Sequence, residues 1–370
     1  MKIWHVGASA SPRRVSGLNI SAWVMAREQA ALGHEVTLIV HASPDQAGLA
    51  VAQQGKFKLL HVPSNAIQYS PALIDTLFQT QPPDVVHMHS VFQLKHATLA
   101  RRLKQRGIPY VIKPAGGLLP QVLQRGRFRK TLYSWLIEKP RFRAAAAIAI
   151  VTPGEEKDVR AFVPNYDGIM RWMPNPVDVD SLDGQHWDGL TDPKRLVFLG
   201  RFDVLHKGID ILVAIARHIP DVEFHLYGTE DSGTRQWFER IKQELPPNVY
   251  FHRPVFGTEK FRVVSEASLY IQTARWEVFG ISIAEAMYLG TPCAVANTIH
   301  FAELFQQYDL GLVLSSDTED AAMQLRDALN QPDQMQHWSK QSKSFAHTYF
   351  HPHSVALNYI KLYEEVVAAQ

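Results

Sequence analysis

Residues 269–296 read LYIQTARWEVFGISIAEAMYLGTPCAVA, and the rest of the fold can be worked out from this segment. The segment begins with an apolar run and a short loop. A longer apolar segment follows, which ends at Gly290 and Pro292, and a second apolar run comes after it. A strand, a loop, a helix and a strand in this order form the repeating unit of a parallel sheet covered by helices. The segment therefore predicts an α/β protein.

The same alternation extends along the chain and restarts once. It predicts helices at 20–32, 95–106, 209–218, 236–244, 259–267 and 281–289. It predicts strands at 3–6, 36–40, 58–62, 85–89, 110–113, 146–151 and 169–173 in the first half, and at 196–199, 223–227, 249–252, 269–272, 293–296 and 312–314 in the second.

The break falls in 174–178 (PNPVD) and the polar residues up to Pro193, a composition typical of a hinge. We therefore expect two doubly wound, Rossmann-like domains facing a cleft, with ligands bound beyond the carboxyl ends of the strands. The expected domains are 1–178 together with about 354–370, and 179–353. The last helix, at about 354–369, has no strand after it, and we expect it to cross back onto the first domain.

Composition limits the compartment and the partners. A chain of 370 residues with 46% hydrophobic and 20% charged residues can bury two cores, and its net charge of +2 does not suggest nucleic-acid binding. Its one cysteine, Cys293, allows no disulfide within the chain, as expected in a reducing compartment. The start of the chain has no signal-peptide pattern, and no apolar run approaches the ~20 residues of a membrane-spanning helix. We expect a cytoplasmic protein that sits at most on the inner face of a membrane.

Two glutamates mark the loop and helix of the opening segment. Glu285 lies in an otherwise apolar helix, and a buried carboxylate is costly unless a group such as a ribose hydroxyl binds it. Glu277 lies in the loop before that helix. Free amides at Phe279, Gly280 and Ile281 would bind an anion at the helix start. The alternative is a solvated Glu277 above a core helix with a salt-bridged Glu285.

Residues 200–208 (GRFDVLHKG) carry two cations at the end of another predicted strand. Arg201 follows the strand directly and Lys207 precedes a helix, so both would project where a diphosphate could lie. A solvated Lys207 at a turn is the alternative. Together with the glutamate loop, these cations favour a nucleotide-sugar site.

These residues resemble those of the family-4 retaining glycosyltransferases of GT-B fold, and the resemblance covers nearly the whole chain. It is strongest in 277–292 and 200–208 and extends to 174–178 and 17–36. The resemblance implies that Arg201 and Lys207 hold the donor diphosphate, that Glu277 holds the sugar hydroxyls and that Glu285 holds the ribose. It also implies that Val255, in the loop 255–257, lies near the base.

The first domain contributes three candidate features. Gly17, expected just before the first long helix, would let the backbone approach a phosphate. His89 ends a strand and would orient the acceptor hydroxyl or contact the donor sugar, although a structural histidine is the alternative. Relatives often carry His-Gly after the next strand, whereas this chain has Ala115 at the expected histidine position, so that sugar contact is absent.

The resemblance implies retention of anomeric configuration. We expect no cofactor and no metal, because the residues themselves can stabilise the leaving group. Arg201, Lys207 and the helix-start amides would stabilise the leaving diphosphate, and the acceptor hydroxyl would attack from the leaving-group face. The sequence DVD at 178–180 imitates a metal-binding Asp-x-Asp motif, but its position in the hinge argues against a metal site.

Residues 125–143 are the most concentrated basic stretch and include aromatic and aliphatic residues. This mixture suits an anionic membrane surface and a lipid-linked acceptor, whereas a basic helix packed in the core is the alternative.

Several functions remain open at this level. A retaining hexosyltransferase that uses UDP-glucose is the leading interpretation, with GDP-mannose as a second donor and a polysaccharide or lipid-linked acceptor. A nucleotide-sugar 2-epimerase of the same fold and a non-catalytic nucleotide-sugar-binding protein are the alternatives. Walker and dinucleotide-binding glycine motifs are absent from the sequence, which disfavours ATPases and NAD enzymes.

Overall fold

The structure is a computed structural model that describes residues 1–13, 16–65, 67–124, 131–179, 182, 184–230, 232–241 and 244–370. It divides into two compact units. Unit 1 comprises Met1–Pro176 and Pro352–Gln370, and unit 2 comprises Val177–His351.

Unit 1 is built on a seven-stranded parallel sheet with strand order β3-β2-β1-β4-β5-β6-β7. Its strands are β1 (Lys2–Val6), β2 (Glu35–Val40), β3 (Lys58–His61), β4 (Val85–His89), β5 (Tyr110–Lys113), β6 (Ala147–Ile150) and β7 (Ile169–Trp172). The helices that precede the second unit are α1 (Gly17–Ala31), α2 (Gln46–Gln54), α3 (Pro71–Thr80), α4 (Leu94–Lys104), α5 (Pro120–Gln124), a π-helical turn (Ser134–Glu138), α6 (Lys139–Arg143) and α7 (Glu155–Phe162).

Unit 2 repeats this architecture with a six-stranded parallel sheet of order β10-β9-β8-β11-β12-β13. Its strands are β8 (Arg195–Leu199), β9 (Glu223–Tyr227), β10 (Val249–His252), β11 (Leu269–Gln272), β12 (Cys293–Ala296) and β13 (Leu312–Leu314). Its helices are α8 (Val204–Lys207), α9 (Ile209–His218), α10 (Ser232–Ile241), α11 (Gly257–Ser265), α12 (Ile281–Leu289), α13 (Phe301–Tyr308), α14 (Thr318–Leu329) and α15 (Pro332–Tyr349).

The last helix, α16 (Pro352–Ala368), belongs to unit 1. It packs against α1 and buries Val355, Tyr359 and Tyr363 in the core on one face of the sheet. The predicted return of the final helix to the first domain is therefore confirmed.

The predicted class of two Rossmann-like parallel-sheet domains is also confirmed. All thirteen predicted strands form, and central ones such as β6 are buried on both faces, which requires a continuous apolar sequence. Several helices begin earlier than predicted, and the largest differences are α10, which begins at Ser232, and α1, which begins at Gly17. Helix α1 begins earlier because the hydroxyl of Ser16 caps it by accepting a hydrogen bond from the Asn19 amide, so polar residues supply the first turn.

Candidate functional site

The candidate site lies at the point of the unit 2 sheet where the strand order reverses. Strands β8 and β11 are neighbours there, although β9 and β10 lie between them in the sequence. Their carboxyl ends carry the two predicted motifs, with Arg201 after β8 and Glu277 after β11. In doubly wound sheets this reversal point is where ligands bind.

An ion pair joins the two motifs. The Nζ of Lys207, the last residue of α8, lies 2.6 Å from Oε2 of Glu277. Burial alone would raise the pKa of Glu277, but the charge and hydrogen bond of Lys207, with smaller effects of His206 and the Val278 amide, hold that pKa below its usual value. Both side chains are partly buried, so the predicted alternatives of a solvated Lys207 and a solvated Glu277 are wrong.

Backbone geometry fixes the position of Lys207. Gly208 follows it with a φ of +66°, and a Cβ there would lie 2.2 Å from the carbonyl oxygen of Thr273 at the end of β11. Only glycine fits this close approach in the left-handed region. The hydroxyl of Thr273 donates to the carbonyl of Gly208 at 3.0 Å, which ties the turn to the neighbouring strand.

Two further contacts hold the loop that carries Glu277. Arg275 donates to both carboxylate oxygens of Asp210 in α9, at 2.9 and 2.6 Å. The ring of His206 stacks on Trp276 with centroids 5.0 Å apart, and a ring nitrogen of His206 lies 3.0 Å from the Trp276 carbonyl. These contacts hold the loop in place on which Glu277 lies.

Arg201 differs from Lys207 in being exposed. Its guanidinium has no hydrogen bond or ion pair with any described residue of the chain. An exposed guanidinium at a strand end can receive an anionic ligand without first giving up a partner.

Helix α12 presents uncapped amides beside Glu277. Gly280 occupies the N-cap position, and no side chain accepts a hydrogen bond there. Phe279 is buried against Phe301 and Phe350, with ring centroids 5.0 and 5.3 Å away, so its backbone is fixed. The helix start that begins at Ile281 is thus able to bind an anion.

Glu285 lies one turn further along α12 and is only 4% exposed. Its Oε1 lies 2.6 Å from Nζ of Lys260 in α11. Burial, which Lys260 offsets in part, raises the pKa of this carboxyl, and the charge of Asp178 raises it further. This ion pair is the one that the alternative interpretation of Glu285 required. Asp180, the other acid of the 178–180 motif, lies outside the described residues.

The loop after β10 lies at the same edge of the sheet. Val255 is half-buried, and its neighbour Phe256 is 59% exposed. An exposed aromatic ring beside a half-buried valine offers an apolar surface to a nucleobase.

In unit 1, Gly17 is the first residue of α1 instead of preceding the helix as predicted. It follows the Ser16 cap at the end of the loop that leaves β1. Strands β1 and β4 flank the point of strand-order reversal in this sheet, so the helix start lies at the corresponding edge.

His89 is not at a surface. It has no exposed area, its Nε2 lies 2.9 Å from Nδ1 of His5, and its ring stacks on His87 with centroids 4.1 Å apart. Burial lowers the pKa of His89 well below its usual value. The structure therefore gives His89 the environment of a structural histidine, and direct contact with a substrate is not supported.

Among the described residues, the three histidines His5, His87 and His89 are the group that could hold a metal, since one ring nitrogen of each lies within 4.8 Å of the others. The buried ammonium of Lys113 contributes an electrostatic effect at all three rings. A divalent cation there would repel the charged form of Lys113, which is unfavourable in a buried position. Hydrogen bonds from His5 to Gln29 and from His87 to Tyr363 instead tie the sheet to α1 and α16.

The loop after β5 contains Ala115 in a left-handed conformation, with a φ of +48°. The buried carboxylate of Glu155 holds this loop by accepting hydrogen bonds from the amides of Gly116, at 2.7 Å, and Val151, at 2.8 Å. The position where relatives often carry histidine thus has only a methyl group on a fixed backbone.

The basic stretch 125–143 is only partly described, since residues 125–130 lie outside the described range. In the described part, Leu132, Trp135 and Leu136 are 56%, 70% and 53% exposed. Arg141 is buried and paired with Glu138, so it is not a surface cation as the sequence suggested. The described residues include no helix with the length and apolarity that crossing a membrane requires.

Sequence comparison places both halves of the chain in glycosyltransferase families. Residues 16–170 match the family described as glycosyl transferase 4-like domain, and residues 186–345 match glycosyl transferases group 1. The chain is 25% identical over 273 residues to GDP-mannose:cellobiosyl-diphosphopolyprenol alpha-mannosyltransferase of Xanthomonas oryzae, a match covering 70% of this chain and 67% of that protein.

Other curated relatives match over shorter segments. Glycogen synthase of Thermosipho melanesiensis is 28% identical over 160 residues, which is 42% of this chain and 32% of that protein. Phosphatidyl-myo-inositol mannosyltransferase of Mycobacterium tuberculosis is 28% identical over 162 residues, 40% of each chain. The chain thus spans less than half the length of these two relatives.

Solved structures share the fold over the whole chain. Sucrose-phosphate synthase from Thermosynechococcus elongatus superposes with a TM-score of 0.80 at 18% identity, covering 100% of both chains. Anabaena Alr3699/HepE in complex with UDP and glucose gives a TM-score of 0.74 at 15% identity, covering 99% of this chain and 100% of that one. With two successive family matches along most of its length and this shared fold, the chain belongs to the group 1 glycosyltransferases of GT-B fold.

Proposed function

We propose that this glycosyltransferase is a retaining, metal-independent enzyme that moves a hexose from a nucleotide sugar to an acceptor hydroxyl. UDP-glucose is the first donor to test, and GDP-mannose is the second. The observation that carries the proposal is the ion pair of Lys207 and Glu277 at the reversal point of the unit 2 sheet, with the uncapped start of α12 following Glu277 and the exposed Arg201 following β8.

These groups match the parts of a sugar nucleotide. Arg201 and Lys207 supply positive charge for the diphosphate, and the α12 amides supply hydrogen-bond donors. Glu277 and Glu285 are acceptors for sugar and ribose hydroxyls. The loop of Val255 and Phe256 offers an apolar surface to the base.

The residues favour leaving-group stabilisation as the main source of catalysis. The acceptor oxygen forms a bond to the anomeric carbon from the same face as the breaking bond to the phosphate oxygen. The acceptor proton passes to that departing oxygen, so the nucleoside diphosphate leaves with the bonding electrons. Arg201, Lys207 and the α12 amides stabilise the developing negative charge.

We assign the acceptor to unit 1 and propose a polysaccharide or lipid-linked oligosaccharide. The exposed apolar side chains of Leu132, Trp135 and Leu136, next to a basic sequence, support peripheral binding to an anionic membrane. Lipid-linked acceptors are presented at such a surface. A cytoplasmic location at the inner membrane face accords with this assignment.

The experiment is a donor and variant series. Thermal shift against UDP, GDP and ADP sugars selects the donor, since a bound ligand raises the melting temperature. With that donor and a lipid-linked acceptor, Arg201→Ala and Lys207→Ala should each lower kcat/KM by about 10²–10³-fold. Arg240→Ala, at an exposed position of α10, is the control and should retain full activity.

The same series separates the alternatives. Incubation with donor alone yields an epimerised sugar only if the protein is a 2-epimerase. Binding without turnover of any acceptor tested would favour a non-catalytic role. Near-normal turnover in Arg201→Ala or Lys207→Ala would contradict the proposed mechanism, and loss of activity on adding a chelator would contradict metal independence.

A further inference from the structure

The inference concerns the ion pair of Lys207 and Glu277 and rests on the proposed function. The cation assigned to the diphosphate lies 2.6 Å from the carboxylate assigned to the sugar. We infer that Glu277 makes the site discriminate against the bare nucleoside diphosphate, because it competes with the phosphates for Lys207 whenever no sugar occupies its carboxylate.

The geometry keeps both partners in place. The turn at Gly208 fixes the backbone of Lys207 against Thr273, and the contacts of Arg275 and His206 fix the loop of Glu277. Neither side chain can leave the other by a simple movement of its backbone. A ligand therefore has to replace this contact locally.

A sugar nucleotide and a nucleoside diphosphate differ in the hydrogen-bond donors that they offer to Glu277. A sugar nucleotide offers phosphate oxygens to Lys207 and hydroxyl donors to Glu277, so both partly buried ions regain a partner. A nucleoside diphosphate offers only the phosphate. Glu277 then either retains Lys207 or loses its lysine partner in a partly buried position, where only the Val278 amide and the charge of His206 still favour the carboxylate, which is costly.

The other charged groups do not discriminate in this way. Arg201 has no described partner to exchange, and it would meet the diphosphate in either ligand. Glu285 is paired with Lys260, but the ribose is common to both ligands. Selection for the sugar, and with it release of the spent nucleotide, thus falls to the Lys207–Glu277 pair.

The test compares dissociation constants by isothermal titration calorimetry, using UDP with UDP-glucose and GDP with GDP-mannose. Glu277→Ala should bind the nucleoside diphosphate about fivefold more tightly than the wild type, since the competing ion pair is gone. Its preference for the sugar nucleotide should fall by about tenfold, because the hydroxyl acceptor is lost as well. Glu277→Gln, nearer in size, gives a second measurement should the alanine variant fold poorly.

Two controls make the result specific. Glu266→Gln breaks the exposed ion pair with Arg262 on α11 and should leave every constant unchanged. In a Lys207→Met background, Glu277→Ala should no longer tighten binding of the diphosphate. Tightening that persists there would mean direct repulsion by the carboxylate and would overturn the inference.

The outcomes also separate the inference from the proposed function. Wild-type protein that binds a diphosphate with the same constant as Glu277→Ala and Glu277→Gln overturns the inference alone. Wild-type protein that binds none of the four nucleotides overturns the proposed donor site and the inference together.

Discussion

The Nζ of Lys260 lies 2.6 Å from Oε1 of Glu285, which joins a cation of α11 to a carboxylate buried in α12. Lys260→Met should lower the free energy of unfolding by about 2 kcal/mol at pH 8, because it leaves a buried carboxylate without its partner. The pKa of Glu285 is already raised by burial, and loss of Lys260 raises it further.

The raised pKa of Glu285 also makes the stability loss of Lys260→Met depend on pH. A carboxyl whose folded-state pKa is raised stabilises the protein below its ordinary pKa and loses that contribution as the pH rises through the folded value. The deficit of Lys260→Met should therefore be larger at pH 8 than at pH 5 in urea denaturation. Lys260→Met/Glu285→Gln should recover most of the loss, and additive losses would show that the pair is not coupled.

A second pH effect is expected from Lys113, which is fully buried in unit 1 and whose Nζ lies 2.7 Å from the Ser21 hydroxyl. Burial lowers its pKa to about 7, against a smaller opposing effect of Glu155. The folded chain thus binds fewer protons than the unfolded chain between about pH 7 and the usual lysine value. The contribution of Lys113 to stability is present above the usual lysine pKa and is lost as the pH falls toward 7.

Lys113→Met removes this titration and, with it, the effect of the lysine charge on the pKa values of Glu155 and of the three buried histidines. In urea denaturation, the stability of the wild type relative to the variant should improve by about 1–3 kcal/mol between pH 7 and pH 9.5. Lys361→Met, on the last helix, is an exposed control and should show no such slope. Parallel pH profiles for wild type and Lys113→Met would contradict the expectation.

The strands could be predicted because both faces of each sheet are covered. A continuous apolar run such as Ala147–Ile150 is buried on both faces and is typical of a strand inside a covered parallel sheet. The same coverage explains why the role of His89 could not be predicted. In a strand that is buried on both faces, side chains that point to either face are shielded from solvent. The sequence pattern therefore does not separate a site histidine from a core histidine.

The long-range partners of the site could not be predicted either. Glu277 and Glu285 stand out as acids near or within an apolar helix, but Lys260 lies 25 residues before Glu285, and Asp210 lies 65 residues before Arg275. Lys260, Asp210 and Arg275 are ordinary surface-type residues within their own segments. Only the packing of α11 and α9 against neighbouring elements brings them to the site.

Gly208 is expected to be intolerant of any side chain. Gly208→Ala would combine a left-handed backbone with a Cβ 2.2 Å from the Thr273 carbonyl oxygen, so we expect a loss of about 2–3 kcal/mol in the free energy of unfolding. Donor affinity by calorimetry should fall as well, because the turn positions Lys207.

Gly33 provides the matched control. Its φ is +87°, but a Cβ there would meet nothing within 4 Å. Gly33→Ala should therefore show only the conformational cost of about 1 kcal/mol. Equal losses in the two variants would mean that the contact with Thr273 has no effect of its own.

The last expectation concerns Trp135, which is 70% exposed and has the exposed side chains Leu132 and Leu136 beside it in sequence. Trp135→Asp should reduce binding to anionic vesicles by about tenfold or more, since an inserted aromatic ring is replaced by a charge. Its melting temperature should match that of the wild type, because the side chain is largely exposed. Sedimentation with phosphatidylglycerol-containing and pure phosphatidylcholine vesicles measures the effect.

Met323→Asp is the control for this experiment, because Met323 is 50% exposed on α14 of unit 2 and should not contribute to vesicle binding. Attraction between basic side chains and anionic lipid is screened by salt, so wild-type binding should also weaken as the salt concentration rises. Arg141 is buried against Glu138 and cannot supply that charge, which leaves exposed cations such as Arg143. Equal sedimentation of wild type, Trp135→Asp and Met323→Asp would exclude Trp135 and its exposed apolar neighbours as the membrane contact.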